Sequence, residues 1–318
     1  MLTVPALFVP YTEPWEGPVT TTPFLSERAR YAAGALRDYC FFTGIHGHPV
    51  CYRAALYGHG FDGEGHFDWT LANLAKHGTE HGAELLRRID RISDDLCVTE
   101  WYAPQPVEFN GVIVTPDELQ ESIALPSGRR IRRGALADGV FWETFPHGSR
   151  TGFMLSVGGC ALVTAQSQSG TDGFGVAHAG LKSLVRWTPE ERANHTSVIT
   201  ELAARFRDPH DVVFQPLFAI RPEDYGHSLT DPRFANESRR IIDQLNADGY
   251  GACVRGGLEG RIDLVTLMGL QAERLGASFE WPDEYLLDPY LPHDAYHTRR
   301  EGPLRTHRNL LVVTIEPA

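Results

Sequence analysis

Apolar positions along the chain alternate between two spacings. Around Ser26 to Cys40 (SERARYAAGALRDYC) they recur near helical spacing behind a residue suited to cap a helix, which predicts a helix there. Thr70 to Ile89 carries a second such pattern, interrupted by Gly78 and Gly82. Leu96 to Tyr102 and Glu108 to Thr115 read as strands. Three strands then follow in close order, Phe153 to Val157, Ala161 to Ala165 and Phe174 to His178, separated by Gly158-Gly159 and by the turn-forming run Gln166 to Gly173. Pro189 to Phe206, Asp231 to about Ala247 and Asp263 to Leu275 read as helices, and Val212 to Ile220 and Leu310 to Ile315 as buried strands. Helices and strands are mixed throughout, with no repeat and no linker. The pattern predicts one α/β domain over residues 1–318, with mixed sheet layers and flanking helices.

Composition narrows the partners. The 318 residues, 42% of them hydrophobic, suffice for one large core. With 29 basic against 41 acidic residues the formal charge is −12, which disfavours nucleic acid and anionic membranes as partners and leaves a small molecule. The N-terminal stretch lacks the character of a secretory signal, and no run is long enough to span a bilayer. Cys40, Cys51, Cys97, Cys160 and Cys253 are odd in number and form no CxxC pair, as expected of a reducing cytoplasm.

Several motifs invite chemistry. Gly58, Gly60 and Gly63 match GxGxxG, but an acidic turn rather than a helix start follows, so an ordinary glycine turn is the better reading. His46, His48, His59, His66, His77 and His81 crowd one region without a metal-protease motif. Arg129, Arg130, Arg132 and Arg133 read as a solvated loop or hairpin. The sharpest feature is GGCALVTAQSQSGTDGFGVAHAGLKSL, in which Cys160 opens one strand and His178 ends the next, 178 − 160 = 18 positions later. A strand–turn–strand of that length returns its two ends to one edge. A thiol beside an imidazole either binds a metal of the zinc type or forms an activated nucleophile. A buried inert cysteine with a structural histidine is the third possibility.

The same segment resembles the laccase-domain (polyphenol oxidase/purine nucleoside phosphorylase) family, in which a strand-opening Cys is followed by His-Ala-Gly-Trp-Arg-Gly. Here the counterpart runs from Gly158-Gly159-Cys160 to His178-Ala179-Gly180-Leu181-Lys182. Ala137-Asp138-Gly139 is similar to the family's Ala-Asp-Ala. Tyr296 to Gly302 is similar to its C-terminal Ser-His-Arg-Arg-Asp-Gly segment, and Ile262-Asp263-Leu264 to the lead-in of its last helix. The likeness covers roughly residues 40–316. It implies the laccase-domain fold, shared at a distance with a toxin deamidase. It also implies a zinc ion (copper less so) held by two His and one Cys, and phosphorolysis of purine nucleosides. Carried over residue by residue, it makes Cys160 and His178 catalytic and metal-binding candidates. Lys182, Arg299 and Arg300 become candidates to hold a substrate anion such as phosphate, and His297 a candidate to move a proton.

The departures are specific. The family's upstream metal His has no counterpart in Pro104 to Val112, where Glu108 is the available ligand; the Asp before the Cys is Gly159, and Trp-Arg after the His is Leu181-Lys182. Three outcomes stay open: a zinc-dependent nucleoside phosphorylase-like enzyme, a metal-free Cys–His hydrolase, acyl-transfer enzyme or deamidase, and an inactive small-molecule-binding homologue.

Overall fold

A computed structural model describes residues 25–29, 37–44, 50–57, 67–76, 78–106, 111–144, 150–158, 160–168, 173–185, 196–225, 229–233, 235–280 and 308–317. The strands are β1 Leu25–Ala29, β2 Arg37–Gly44, β3 Val50–Tyr57, β4 Glu100–Tyr102, β5 Ile113–Val114, β6 Glu121–Ala124, β7 Arg130–Arg133, β8 Gly139–Trp142, β9 Thr151–Val157, β10 Ala161–Ser167, β11 Phe174–Ala179, β12 Val212–Leu217, β13 Val254–Arg255, β14 Arg261–Ile262, β15 Ser278–Phe279 and β16 Asn309–Pro317. The α-helices among the described residues are α1 Glu80–Asp95, α2 Leu181–Leu184, α3 Val198–Ala203, α4 Ala235–Ala247 and α5 Leu264–Arg274.

Two mixed sheets carry the architecture. The larger has eight strands in the order β1-β2-β3-β16-β9-β4-β7-β6, and the smaller has six in the order β15-β12-β10-β11-β8-β5. The period-two alternation of strand side chains fills the layers on both faces of the larger sheet. Within β16, Leu311, Val313 and Ile315 join the core between the sheets, while Leu310 and Val312 join the cluster beneath α1. Phe153 and Leu155 of β9 face the inter-sheet core and Met154 the other cluster. On α1, Leu85, Ile89 and Ile92 fall at helical spacing and are buried against Trp101 and Met154. Val198, Ile199 and Leu202 of α3 and Leu264, Val265 and Met268 of α5 belong to the same core as the smaller sheet. Leu202 comes so near β11 that a Cβ on Gly175 would lie 2.5 Å from its Cδ2.

Several elements differ from the sequence reading. Of the helix expected over Ser26 to Cys40, the described residues 26–29 and 37–40 are strand instead: β1 and β2 pair antiparallel there, and β2 pairs antiparallel with β3, while residues 30–36 lie outside the described residues. Pairing onto an existing sheet supplies the backbone with hydrogen bonds that a weakly amphipathic helix would supply only locally. The helix expected from Thr70 begins instead as a short 3-10 turn, Leu71–Lys76, and the α-helix starts at Glu80. Gly78 breaks the pattern and the Thr79 hydroxyl accepts from Gly82 N–H at 3.1 Å, so the cap moves the start of the helix C-terminally. Strands expected over Leu96 to Tyr102 and Glu108 to Thr115 shrink to β4 and β5, while Val107 to Asn110 lie outside the described residues. The arginine cluster does form a hairpin strand, β7 against β6, but Arg133 is buried and bonds to the Leu71 carbonyl at 3.4 Å.

Candidate functional site

The chain crosses from the larger sheet to the smaller between β9 and β10, and Cys160 sits at that crossing, one residue before β10. β10 and β11 are antiparallel with Leu162 opposite His178 and Ala161 opposite Ala179, so Cys160 faces Gly180 across the ladder. The register thus returns the histidine to the thiol. Gly180 closes the arrangement from below. A Cβ built there would lie 2.5 Å from His178 Cε1, 2.8 Å from His178 Nε2 and 3.2 Å from Cys160 Sγ, so only glycine leaves room for both side chains. Sulfur and Nε2 therefore converge on one place, and the thiolate and imidazole are hydrogen-bonded to each other.

The far side of the imidazole is fixed by two buried groups. His178 Nδ1 lies 3.2 Å from Asp138 Oδ1 and 3.0 Å from Ser183 Oγ, and the Ser183 hydroxyl donates to Asp138 Oδ1 at 3.1 Å. Asp138 and Ser183 have no exposed surface and His178 is 3% exposed. The Asp138 carboxylate also accepts from Gly111 N–H at 2.6 Å, and its backbone carbonyl accepts from His178 N–H at 2.8 Å. Burial pulls the imidazole pKa down, but the Cys160 thiolate before it and the Asp138 carboxylate behind it outweigh burial and push it up to about 10. The imidazole therefore favours its charged form beside Cys160.

Of the other candidates from the sequence, Lys182 is the second residue of α2 and exposed. Glu108, His297, Arg299 and Arg300 lie outside the described residues. So do Gly58 to Gly63 and His46, His48, His59, His66 and His77. His81 is described, and it is spent on structure: Nε2 lies 3.0 Å from the Asp68 carbonyl and the ring stacks on Phe67 at 4.9 Å. Neither Asp138 nor Ser183 is among the candidate site residues of the sequence; Asp138 stands there in the family-like Ala137-Asp138-Gly139 with no role attached, although a lone carboxylate inside the apolar run Ala135 to Trp142 needs partners to be buried at all.

The donor set fits a metal of the zinc type as far as it is described. Cys sulfur and His nitrogen are both zinc ligands, and a metal-binding histidine characteristically donates its other ring N–H to a carboxylate, as His178 does to Asp138. Among the described residues no group of three His, Cys, Asp or Glu side chains is placed to hold a metal ion.

Two mixed sheets with helices outside define a mixed α/β fold that solved structures share. No family model matches the chain, and no curated protein matches it in sequence. YlmD from Geobacillus stearothermophilus is similar over 92% of this chain and 98% of its own, with a TM-score of 0.56 at 15% identity. The YfiH protein of Bacillus licheniformis, described as hypothetical, is similar over 82% of this chain and 92% of its own, with a TM-score of 0.52 at 14% identity. A Neisseria meningitidis protein of the DUF152 family is similar over 82% of this chain and 93% of its own, with a TM-score of 0.51 at 15% identity. At these identities the likeness is one of fold, and the fold expected from the sequence is the fold found. No helix among the described residues is long and apolar enough to cross a membrane.

Proposed function

We propose that this chain is an enzyme of the laccase-domain type that cleaves a nucleoside-type small molecule from the Cys160–His178 pair, with zinc held by those two side chains. The observation that carries this reading is the convergence of Cys160 sulfur and His178 Nε2 above Gly180, with Nδ1 tied to a buried carboxylate. Glu108 is the third donor the reading calls for. Bound there, zinc would supply Lewis-acid orientation of phosphate or water. Asp138 and Ser183 keep the imidazole aimed. Lys182, Arg299 and Arg300 are proposed to hold the anion, and His297 to pass a proton to the departing base. The odd, unpatterned cysteine set agrees with a reducing cytoplasm as the place of work.

A second reading has its own observation. With the His178 pKa raised to about 10 beside Cys160, an imidazole that favours its charged form stands against the thiol, as in a cysteine nucleophile that needs no metal. That arrangement serves a hydrolase, an acyl-transfer enzyme or a deamidase.

Elemental analysis of the purified chain, combined with turnover of inosine and adenosine, separates the two. Near-stoichiometric zinc with phosphate-dependent release of base supports the first reading, and equal turnover without phosphate changes phosphorolysis to hydrolysis. Metal-free protein that iodoacetamide inactivates supports the second. Absence of zinc and of any turnover would leave an inactive binding homologue.

A further inference from the structure

We propose that Asp138, together with Ser183, is the positioning hub of the candidate site, fixing the imidazole of His178 and tying it to Gly111 at the chain's entry to β5. The inference deepens the reading above and rests on Cys160 and His178 being the reacting pair.

The argument is an accounting of donors. The Asp138 carboxylate is fully buried, so each oxygen must be satisfied by protein. Oδ2 accepts the Gly111 N–H at 2.6 Å. Oδ1 accepts the Ser183 hydroxyl at 3.1 Å and faces His178 Nδ1 at 3.2 Å. Having donated its one proton to Asp138, the Ser183 hydroxyl offers a lone pair to Nδ1 at 3.0 Å. Both groups that face Nδ1 are thus acceptors. The proton on Nδ1 is required, and Nε2 is the nitrogen left to meet Cys160. The backbone repeats the tie: the Asp138 carbonyl accepts from His178 N–H and the Asp138 N–H donates to the Val112 carbonyl, both at 2.8 Å. One residue therefore holds the end of β11 and the chain entering β5.

Asparagine cannot take this place. All three side-chain partners of Asp138 are donors, so whichever way an Asn amide turns, its NH₂ meets a donor. Facing His178, it strips Nδ1 of its proton; facing Gly111, it breaks the tether.

The test compares alkylation of Cys160 and of exposed Cys97 by iodoacetamide in the full chelator-treated chain, with peptide mapping by mass spectrometry and Cys97 as the internal reference. Asp138→Asn and Ser183→Ala should each lower the Cys160/Cys97 rate ratio, on the order of tenfold for Asp138→Asn, as for other outer partners of a working histidine. Nitrogen-15 spectra of the imidazole should show a hydrogen-bonded Nδ1–H in the wild type and its loss in Asp138→Asn. An unchanged ratio and an unchanged Nδ1–H in folded Asp138→Asn would overturn the proposal. Should that variant fail to fold, Ser183→Ala decides, and an unchanged ratio overturns it. Wild-type Cys160 reacting no faster than Cys97 overturns it as well. Fast Cys160 alkylation with no cleavage of nucleosides sinks the proposed reaction and leaves the hub standing.

Discussion

Cys160 and His178 are held together by charge as well as by register, and that gives the site a pH signature. The His178 pKa is raised from 6.5 to about 10 in the fold, so the stability its proton contributes is fully present below about 6.5 and is lost as pH rises through about 10. The attraction needs the thiolate. In chelator-treated protein, unfolding free energy should therefore fall between pH 7 and 10 by on the order of 1 kcal/mol more in the wild type than in Cys160→Ala. Urea titrations at stepped pH measure this, and parallel pH profiles for the two proteins would remove the ion pair from the account. At this scale the sequence showed the pair but not its support. Asp138 lies 40 positions before His178, and its polar partners come from β5's entry, β11 and α2. No local spacing links such residues, because the contact exists only once β8 lies beside β11.

Elements declare themselves where local chemistry is strong. The sequence pattern starts the last helix at Asp263, and this residue caps α5: Oδ1 accepts from Val265 N–H and Thr266 N–H, each at 3.1 Å, and Oδ2 accepts the Thr266 hydroxyl at 2.8 Å. Arg255 closes an ion pair on the same carboxylate at 2.7 Å. Asp263→Ala should cost about 2 kcal/mol in urea unfolding, the upper part of the range for a lost cap, because the group is fully buried. A loss under a few tenths of a kcal/mol would show that the cap is dispensable. β9, β10, β11 and β16 were equally legible, as runs of apolar residues bounded by turn residues. β1 and β2 were not. Their residues suit a helix locally, and only the presence of β3 as a pairing edge makes them strands.

At the scale of the whole molecule, stability rests on two sheets closed over one core. Phe153 is fully buried in that core, on β9 near the middle of the larger sheet. Phe153→Ala should lower the unfolding free energy by about 3–5 kcal/mol, the range for removing a large buried aromatic, with denaturant melts as the measure. A loss below about 1 kcal/mol would mean that the sheets do not depend on each other for packing there. By itself the sequence determined the α/β class, the strand–turn–strand that carries Cys160 and His178, and the start of α5 at Asp263. Each of these follows from side-chain periodicity, turn residues or capping chemistry acting over a few positions. Only the tertiary structure decided which strands share a sheet, that the chain changes sheets at Cys160, and that Asp138 and Ser183 stand behind the imidazole. Those are pairings between distant segments, and their free energy comes from burying shared apolar surface and satisfying backbone and carboxylate hydrogen bonds, which no short window of sequence contains.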